Sequence, residues 1–330
     1  MKMGRLAAAT VAAVAVLALM GVMTFGVRSR APSPTPDVRY TLISALTGDY
    51  WEAIAGGAQE AAQERGISLK CVSFKPGAAG DYVTQIDYAV SAGVDGLIIS
   101  GGARQSDVLA AMERAQAQGI PVVFTDAYDG EAKPNAIVAS DSAQAGQLAA
   151  QALADATGGR ADVLIVVYSK SSLTQSGRMQ AFEAALTDYP DMRVVTVMEA
   201  RGDAYNLQKQ IEQTLDAHPE INAIFSAGAS ASEALGRLPV LRERLGQSIR
   251  LVAFDLNESI ATYLSEGLYE ATIMQAPWEM GRTAVEVLDA CRAGEAMSQR
   301  MFPIELHVVT RENLAQYAGQ KGGAVEWHVY

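Results

Sequence analysis

Cysteine and histidine are scarce in this chain: its 330 residues include Cys71 and Cys291, and His218, His307 and His328. Both cysteines fall in stretches that read as core strand or helix, which points to two buried thiols rather than a disulfide. No metal-ligand spacing exists around them. The histidines are scattered. His218 precedes Pro219 in a turn and His307 lies in a late strand-like run, so neither reads as a catalytic base. Also missing are a Gly-x-Gly-x-x-Gly after a strand, a P-loop and a Gly-x-Ser-x-Gly elbow. Asp126 to Glu131 lacks the ligand spacing of a calcium loop. With no paired acid and base, no nucleophile–histidine set and no cofactor loop, an enzyme is disfavoured, and no cofactor or metal is expected. Positive charge is short as well. The first 39 residues carry five cationic side chains and one carboxylate, so the net charge of −11 places −15 on the remainder. Such an acidic body repels phosphates and argues against nucleic acid. No helix-turn-helix precedes the body, only an apolar segment.

That segment is the first positive feature. Lys2 and Arg5 precede Leu6 to Val27, a run of 22 residues with no charged side chain. A positive start followed by a long apolar stretch marks an export signal, and this one is long enough to span a bilayer. The small-x-small sites are poor: Ser29-Arg-Ala31 is followed by Pro32, and Thr24-Phe-Gly26 is weaker. No cysteine occurs before Cys71 to carry a lipid. Residues 1–30 therefore read as an uncleaved signal anchor, with a cleaved signal peptide as the alternative. Ala31 to Pro36 (Ala-Pro-Ser-Pro-Thr-Pro) forms a stiff, Pro-rich linker over 31–37.

Hydrophobic content of 49% with 19% charged residues describes an ordinary globular body, long enough for two domains with real cores. From Arg39 onward strand and helix signals alternate. Tyr40–Ser44, Ile67–Phe74, Gly96–Ser100 and the run up to Asp126 read as strands. Between them lie helices over Trp51–Arg65, Tyr82–Ser91 and Asp107–Gln118. A second series begins near Ser140. Its helices are Ala143–Ala156, Ser176–Leu186, Leu207–Ala217, a mostly helical Ser230–Leu245, Glu258–Glu266 and Trp278–Arg292. Its strands are Val163–Tyr168, Val194–Met198, Ala223–Ser226, the run up to Asp255, Ala271–Met274 and a last strand over Ile304–Val309. Strand–helix alternation of this kind predicts parallel sheets wrapped by helices, here in two α/β lobes. Residues 321–330 read as a tail.

Two of the apolar runs stop at an aspartate: Ile120-Pro-Val-Val-Phe-Thr-Asp126 and Ile249-Arg-Leu-Val-Ala-Phe-Asp255. An Asp just past a buried parallel strand sits at the carboxyl edge of the sheet, where open α/β folds bind ligands. Two such edges suggest two sheets that each offer a carboxylate to a shared cleft. Carboxylates accept hydrogen bonds strongly, so a polyol is a natural ligand. The competing reading makes each Asp a helix N-cap.

Several segments occur in the order of a known family: Trp51-Glu-Ala-Ile-Ala-Gly-Gly-Ala-Gln-Glu-Ala-Ala62, Val94-Asp-Gly-Leu-Ile-Ile-Ser100, Gly119-Ile-Pro-Val-Val123, Leu251-Val-Ala-Phe-Asp255, Glu266-Gly-Leu-Tyr-Glu-Ala-Thr-Ile-Met-Gln-Ala-Pro277 and Met280-Gly281. The chain resembles the type I periplasmic sugar-binding proteins, the ribose- and galactose-binding group, whose ligand-binding fold is shared with lactose-repressor-type regulators. The resemblance runs from about Arg39 to about Thr310. It implies two Rossmann-like lobes with parallel sheets joined by three hinge crossovers. Lobe one would hold 38–139 plus 276–303, and lobe two 140–275 plus 304–320. A sugar would be buried between them, with hinge closure as the motion.

The resemblance also implies site residues. Asp49, Tyr50 and Trp51 match a position where paired aromatics contact the sugar; the alternative is a helix-start staple with Asp49 as cap. Ser44, at a strand end, is a weaker candidate or a turn hydroxyl. Asp126 and Asp255 match two aspartates that grip sugar hydroxyls. Arg178 matches a binding arginine, with a surface salt bridge as its alternative. Gln275 matches a hinge-side glutamine that bonds the sugar or locks the hinge. There are departures. Ala127 stands where the family often has Arg, Ala227 to Ser232 replaces an Asn or Asp, and Gly202-Asp203 replaces an aromatic or Asp. Arg104 is a candidate for the missing charge. The implied function is an extracytoplasmic solute receptor for a monosaccharide, docking on the permease of an ATP-binding-cassette importer. The alternative is a membrane-anchored receptor that hands its closed state to a sensor kinase.

Overall fold

The structure is a computed structural model and describes residues 38–44, 48–73, 79–100, 106–127, 132–200 and 203–317. The apolar segment, the Pro-rich linker, Arg104 and the tail lie outside the described residues. None of the helices among the described residues is long and apolar enough to cross a membrane.

The first series builds one sheet. Its strands are β1 (Arg39–Ser44), β2 (Ser68–Ser73), β3 (Gly96–Ser100), β4 (Val122–Thr125) and β5 (Ala136–Ser140), linked by α1 (Asp49–Glu64), α2 (Ala79–Ser91) and α3 (Ser106–Ala117). The chain then enters α4 (Ser142–Thr157) and builds a second sheet from β6 (Arg160–Val167), β7 (Asp191–Glu199), β8 (Ala223–Ser226), β9 (Arg250–Phe254) and β10 (Ala271–Met274). Its helices are α5 (Leu173–Ala185), α6 (Ala204–Ala217), α7 (Ala229–Leu235), α8 (Pro239–Arg242) and α9 (Glu258–Ser265). Helix α10 (Pro277–Arg292) returns to the first sheet, which β11 (Met301–Ile304) completes; β12 (His307–Thr310) completes the second.

The sheets share one topology. Their orders are β11-β5-β4-β3-β1-β2 and β12-β10-β9-β8-β6-β7. Every pairing is parallel except β12 with β10. The fold is therefore two α/β lobes with mostly parallel sheets, and the chain passes between them three times: after β5, after β10 and after β11. Both sheets are buried on both faces. In β3, Leu97 and Ile99 enter the core under α2 and α3, while Ile98 enters the core under α1 and α10. This two-sided burial is why the strands read as continuous apolar runs.

Four expectations change. Ala136–Ser140 is a strand where none is expected. The last strand, read as Ile304–Val309, is two strands in different sheets, separated by Glu305 and Leu306. The stretch Ser230–Leu245 is broken between Leu235 and Pro239, where Pro starts a new short helix. The two cysteines are free but half-buried rather than buried; both pack against the core under α1 and α10, and burial pushes both thiols up.

Glycines set how closely the helices approach. A Cβ at Gly57 of α1 would lie 1.9 Å from the Trp278 carbonyl oxygen, and one at Gly281 of α10 would lie 1.9 Å from that of Ile54. Gly146 of α4 does the same for α5, where a Cβ would meet the Arg178 carbonyl at 2.3 Å. These contacts fix the two helices that carry Tyr50 and Arg178.

Candidate functional site

The two strand-end aspartates occupy equivalent places in their sheets. Past β4, the Asp126 N–H still donates to Val138 of the neighbouring strand at 3.1 Å; past β9, the Asp255 N–H donates to Ile273 at 2.9 Å. Each then turns into the left-handed region, with φ of 72° and 64°. Among the described residues they are the only non-glycine residues with positive φ, a strained conformation that Asp tolerates better than most side chains. Strain of this kind is kept where a surrounding site requires it. The N-cap reading does not hold for Asp255: the cap of α9 is Asn257, whose side chain accepts from the Ile260 N–H at 3.0 Å.

Tyr50, in the first turn of α1, donates its hydroxyl to Asp126 Oδ1 at 2.8 Å and lies 3.5 Å from Gln275 Oε1. Gln275, between β10 and α10, donates Nε2 to Asp255 Oδ1 at 2.7 Å. The Ala229 N–H, at the start of α7, also bonds the Asp255 carboxylate. A chain of polar groups thus runs from Asp126 to Asp255 through the second passage between the lobes. Thr272 steadies its far end by donating to the Asp255 carbonyl at 2.6 Å.

Arg178 completes the cluster. It is 5% exposed, so the surface salt-bridge reading fails. Its Nη1 donates to the carbonyl of Ala227 at 2.9 Å, and its guanidinium carbon sits 3.6 Å from the centre of the Phe254 ring, a cation–π contact. Its Nε is buried without a partner. Arg178 feels both Asp126 and Asp255, yet forms no ion pair among the described residues.

The electrostatics follow from burying two carboxylates with one cation. Burial is the largest influence on Asp126 and pushes its pKa up to about 6; the Tyr50 hydrogen bond and Arg178 pull the other way. Burial also raises Asp255, opposed by Arg178, Gln275 and the Ala229 N–H. Burial, with the charges of Asp126 and Asp255, holds the Tyr50 phenol well above its ordinary range, so it stays a donor. Burial lowers Arg178, and the two aspartates counter it.

Of the residues expected at a site, the structure brings together Tyr50, Asp126, Arg178, Asp255 and Gln275. Trp51 is half-buried beside them, its ring edge-on to Tyr50 with centroids 5.0 Å apart. Ser44 is buried at the end of β1. Asp49 and Asp203 are not brought in. Both are exposed; Asp49 lies in the first turn of α1 without capping it, and Asp203 caps α6 by accepting from the Asn206 N–H at 3.0 Å. Arg104 lies outside the described residues. Phe254, the Ala227 carbonyl, the Ala229 N–H and Met280, whose Sδ is 3.9 Å from the Tyr50 hydroxyl, were missed. The last residue before a strand-end Asp was a findable signal for Phe254; backbone groups leave none.

The family model for the periplasmic binding protein domain matches residues 40–296. The chain is 26% identical to the ribose import binding protein of Bacillus subtilis over 80% of its own length and 85% of that protein. Among solved structures, it is similar to GanP, a glucose-galactose binding protein from Geobacillus stearothermophilus, at 27% identity and a TM-score of 0.75, covering 84% of this chain and 98% of the other. It is also similar to a chain of the XylFII–LytSN complex, at 25% identity and a TM-score of 0.72, covering 83% and 98%.

Proposed function

We propose, from the premise that this chain belongs to the periplasmic binding protein family, that it captures a monosaccharide or similar small polyol between its two lobes. It does so outside the cytoplasm and delivers the ligand to an ATP-binding-cassette importer. One observation carries the reading: a buried guanidinium with a free Nε feels the charges of two partly buried carboxylates yet forms an ion pair with neither. Unpaired buried charges are costly. A ligand that offers hydroxyl hydrogens to Asp126 and Asp255 and a hydroxyl or ring oxygen to Arg178 satisfies all three. Trp51 and Tyr50 wall the cleft, and Gln275 holds Asp255 in place. Lobe one is 38–139 plus 276–303, lobe two is 140–275 plus 304–320, and closure turns on the three passages. Residues 1–30 export or anchor the body. The ribose and glucose–galactose relatives support a sugar.

The likeness to a chain of the XylFII–LytSN complex supports a second output from the same cleft. In that reading the membrane-anchored receptor passes its closed state to a sensor kinase instead of a permease.

Thermal unfolding of the purified protein against pentoses, hexoses and related polyols tests the ligand class. A ligand at about 100 times its Kd adds roughly 2.7 kcal/mol of stability, seen as a raised midpoint. No shift across the panel removes the sugar assignment.

A further inference from the structure

We propose that Tyr50 determines which polyol this cleft accepts, by standing in for a ligand hydroxyl on Asp126. The inference rests on the polyol-receptor reading and deepens it. A carboxylate offers two oxygens and about four lone-pair directions, and the protein fills those of the two aspartates differently. Asp255 receives an amide from Gln275 and a backbone N–H from Ala229. Asp126 receives a hydroxyl, that of Tyr50, at 2.8 Å. An O–H on a partly buried carboxylate at that distance is what a sugar hydroxyl would itself supply. Tyr50 therefore occupies a place that a ligand hydroxyl could take.

The phenol is held there from several sides. Its oxygen lies 3.5 Å from Gln275 Oε1 and 3.9 Å from Met280 Sδ, and Met280 is fully buried. Its ring meets the Trp51 ring at 85°. Close packing of α1 on α10 at Gly57 and Gly281 fixes the backbone that carries it. A ligand hydroxyl aimed at the same lone pair of Asp126 Oδ1 has to displace the phenol, which Trp51 and Met280 pack against. The preferred polyol therefore lacks a hydroxyl at the carbon facing Tyr50, and Asp126 grips the ligand through its remaining oxygen.

Calorimetric Kd values for wild type and Tyr50→Phe, measured on sugars matched with their singly deoxygenated forms, test this. The wild type is expected to prefer the deoxy member at one position. Tyr50→Phe frees one acceptor and one oxygen's volume, and should move that preference toward the hydroxylated member by about tenfold or more. Preferences at the other positions should stay put. If every pair keeps its ratio, or if all sugars weaken uniformly, Tyr50 only supports Asp126 and the specificity role is overturned while the receptor reading stands. If the wild type binds no polyol at all, the receptor reading falls and takes this inference with it.

Discussion

Asp126 joins a strained backbone to a partly buried carboxylate, and that combination has a cost that can be read from pH. Its pKa of about 6 stands against an ordinary 3.8. Between those values the folded protein holds a proton that the unfolded chain has released. Stability therefore falls as pH rises from about 4 to about 6, and the loss is complete above the upper value. It amounts to at most roughly 3 kcal/mol. Asp126→Asn lacks this titration, so its stability relative to wild type should improve over the same window, by urea unfolding at a series of pH values. A constant difference would contradict the buried-carboxylate account. Ligand binding has the opposite sign of interest, because the ionised form accepts hydroxyls. Asp126→Ala and Asp255→Ala should each weaken binding by about 100-fold, on the scale of a lost hydrogen bond to a charge, as calorimetry would show; unchanged affinity in both would remove the cleft from this place. The two aspartates were legible because each ends an apolar run, a pattern with a physical meaning at a sheet edge. Arg178 and Gln275 came only through family resemblance, since a helical arginine and a lone glutamine look alike whether buried or exposed. The Ala227 carbonyl and Ala229 N–H were not legible, because any residue type supplies them. Asp49 and Asp203 show the converse: acidic side chains at helix starts, exposed, with Asp203 serving its helix as a cap.

Helices place these side chains, and small residues decide how closely the helices approach. Gly146 in α4 lies under the turn of α5 that carries Arg178: a Cβ there would sit 2.3 Å from the Arg178 carbonyl oxygen and 2.6 Å from the Phe182 nitrogen. Gly146→Ala must push that turn away. Overpacking of this kind costs about 1–3 kcal/mol, and here it also moves the guanidinium off Phe254 and away from the cleft. Gly236, between α7 and α8, provides the comparison, because a Cβ there would meet the Tyr263 ring at 2.3 Å, in the core on the face of the second sheet opposite α4 and α5. Both substitutions should lower the unfolding midpoint. Only Gly146→Ala should also weaken ligand affinity, by about tenfold or more; equal affinity losses would mean that α5 does not position Arg178. At this scale most elements were legible, since strand runs and helical runs differ in length and in apolar spacing. The exceptions share a cause. Ala136–Ser140 carries two alanines and a serine in five positions, so its β signal is weak. In Ile304 to Val309 the chain leaves one sheet and enters another within two residues, and local pattern holds no record of which sheet a strand joins.

At the scale of the whole molecule, the chain crosses between the two sheets three times. Asp141, at the first, caps α4 by accepting from the Ala143 N–H at 2.8 Å; Gln275, at the second, links Asp255 toward Tyr50 and Asp126; the third separates β11 from β12. One carboxylate stands on each sheet edge, and Arg178 comes from the second lobe. On the proposed reading, a ligand whose hydroxyls satisfy all of these groups at once draws the two lobes together, whereas a ligand held by one lobe alone leaves the other lobe's carboxylate without a hydroxyl. The acidic body adds a repulsion between lobes that salt screens over roughly 8 Å at physiological ionic strength. Ligand should therefore reduce the radius of gyration measured by small-angle X-ray scattering, and reduce it more at low salt, where the unliganded lobes repel most. Asp255→Ala should show no contraction at a ligand concentration that saturates the wild type, because its second lobe has lost its acceptor. A wild-type radius that ignores ligand, despite a raised unfolding midpoint, would mean that the cleft is preformed around its ligand and that these three passages are struts rather than hinges.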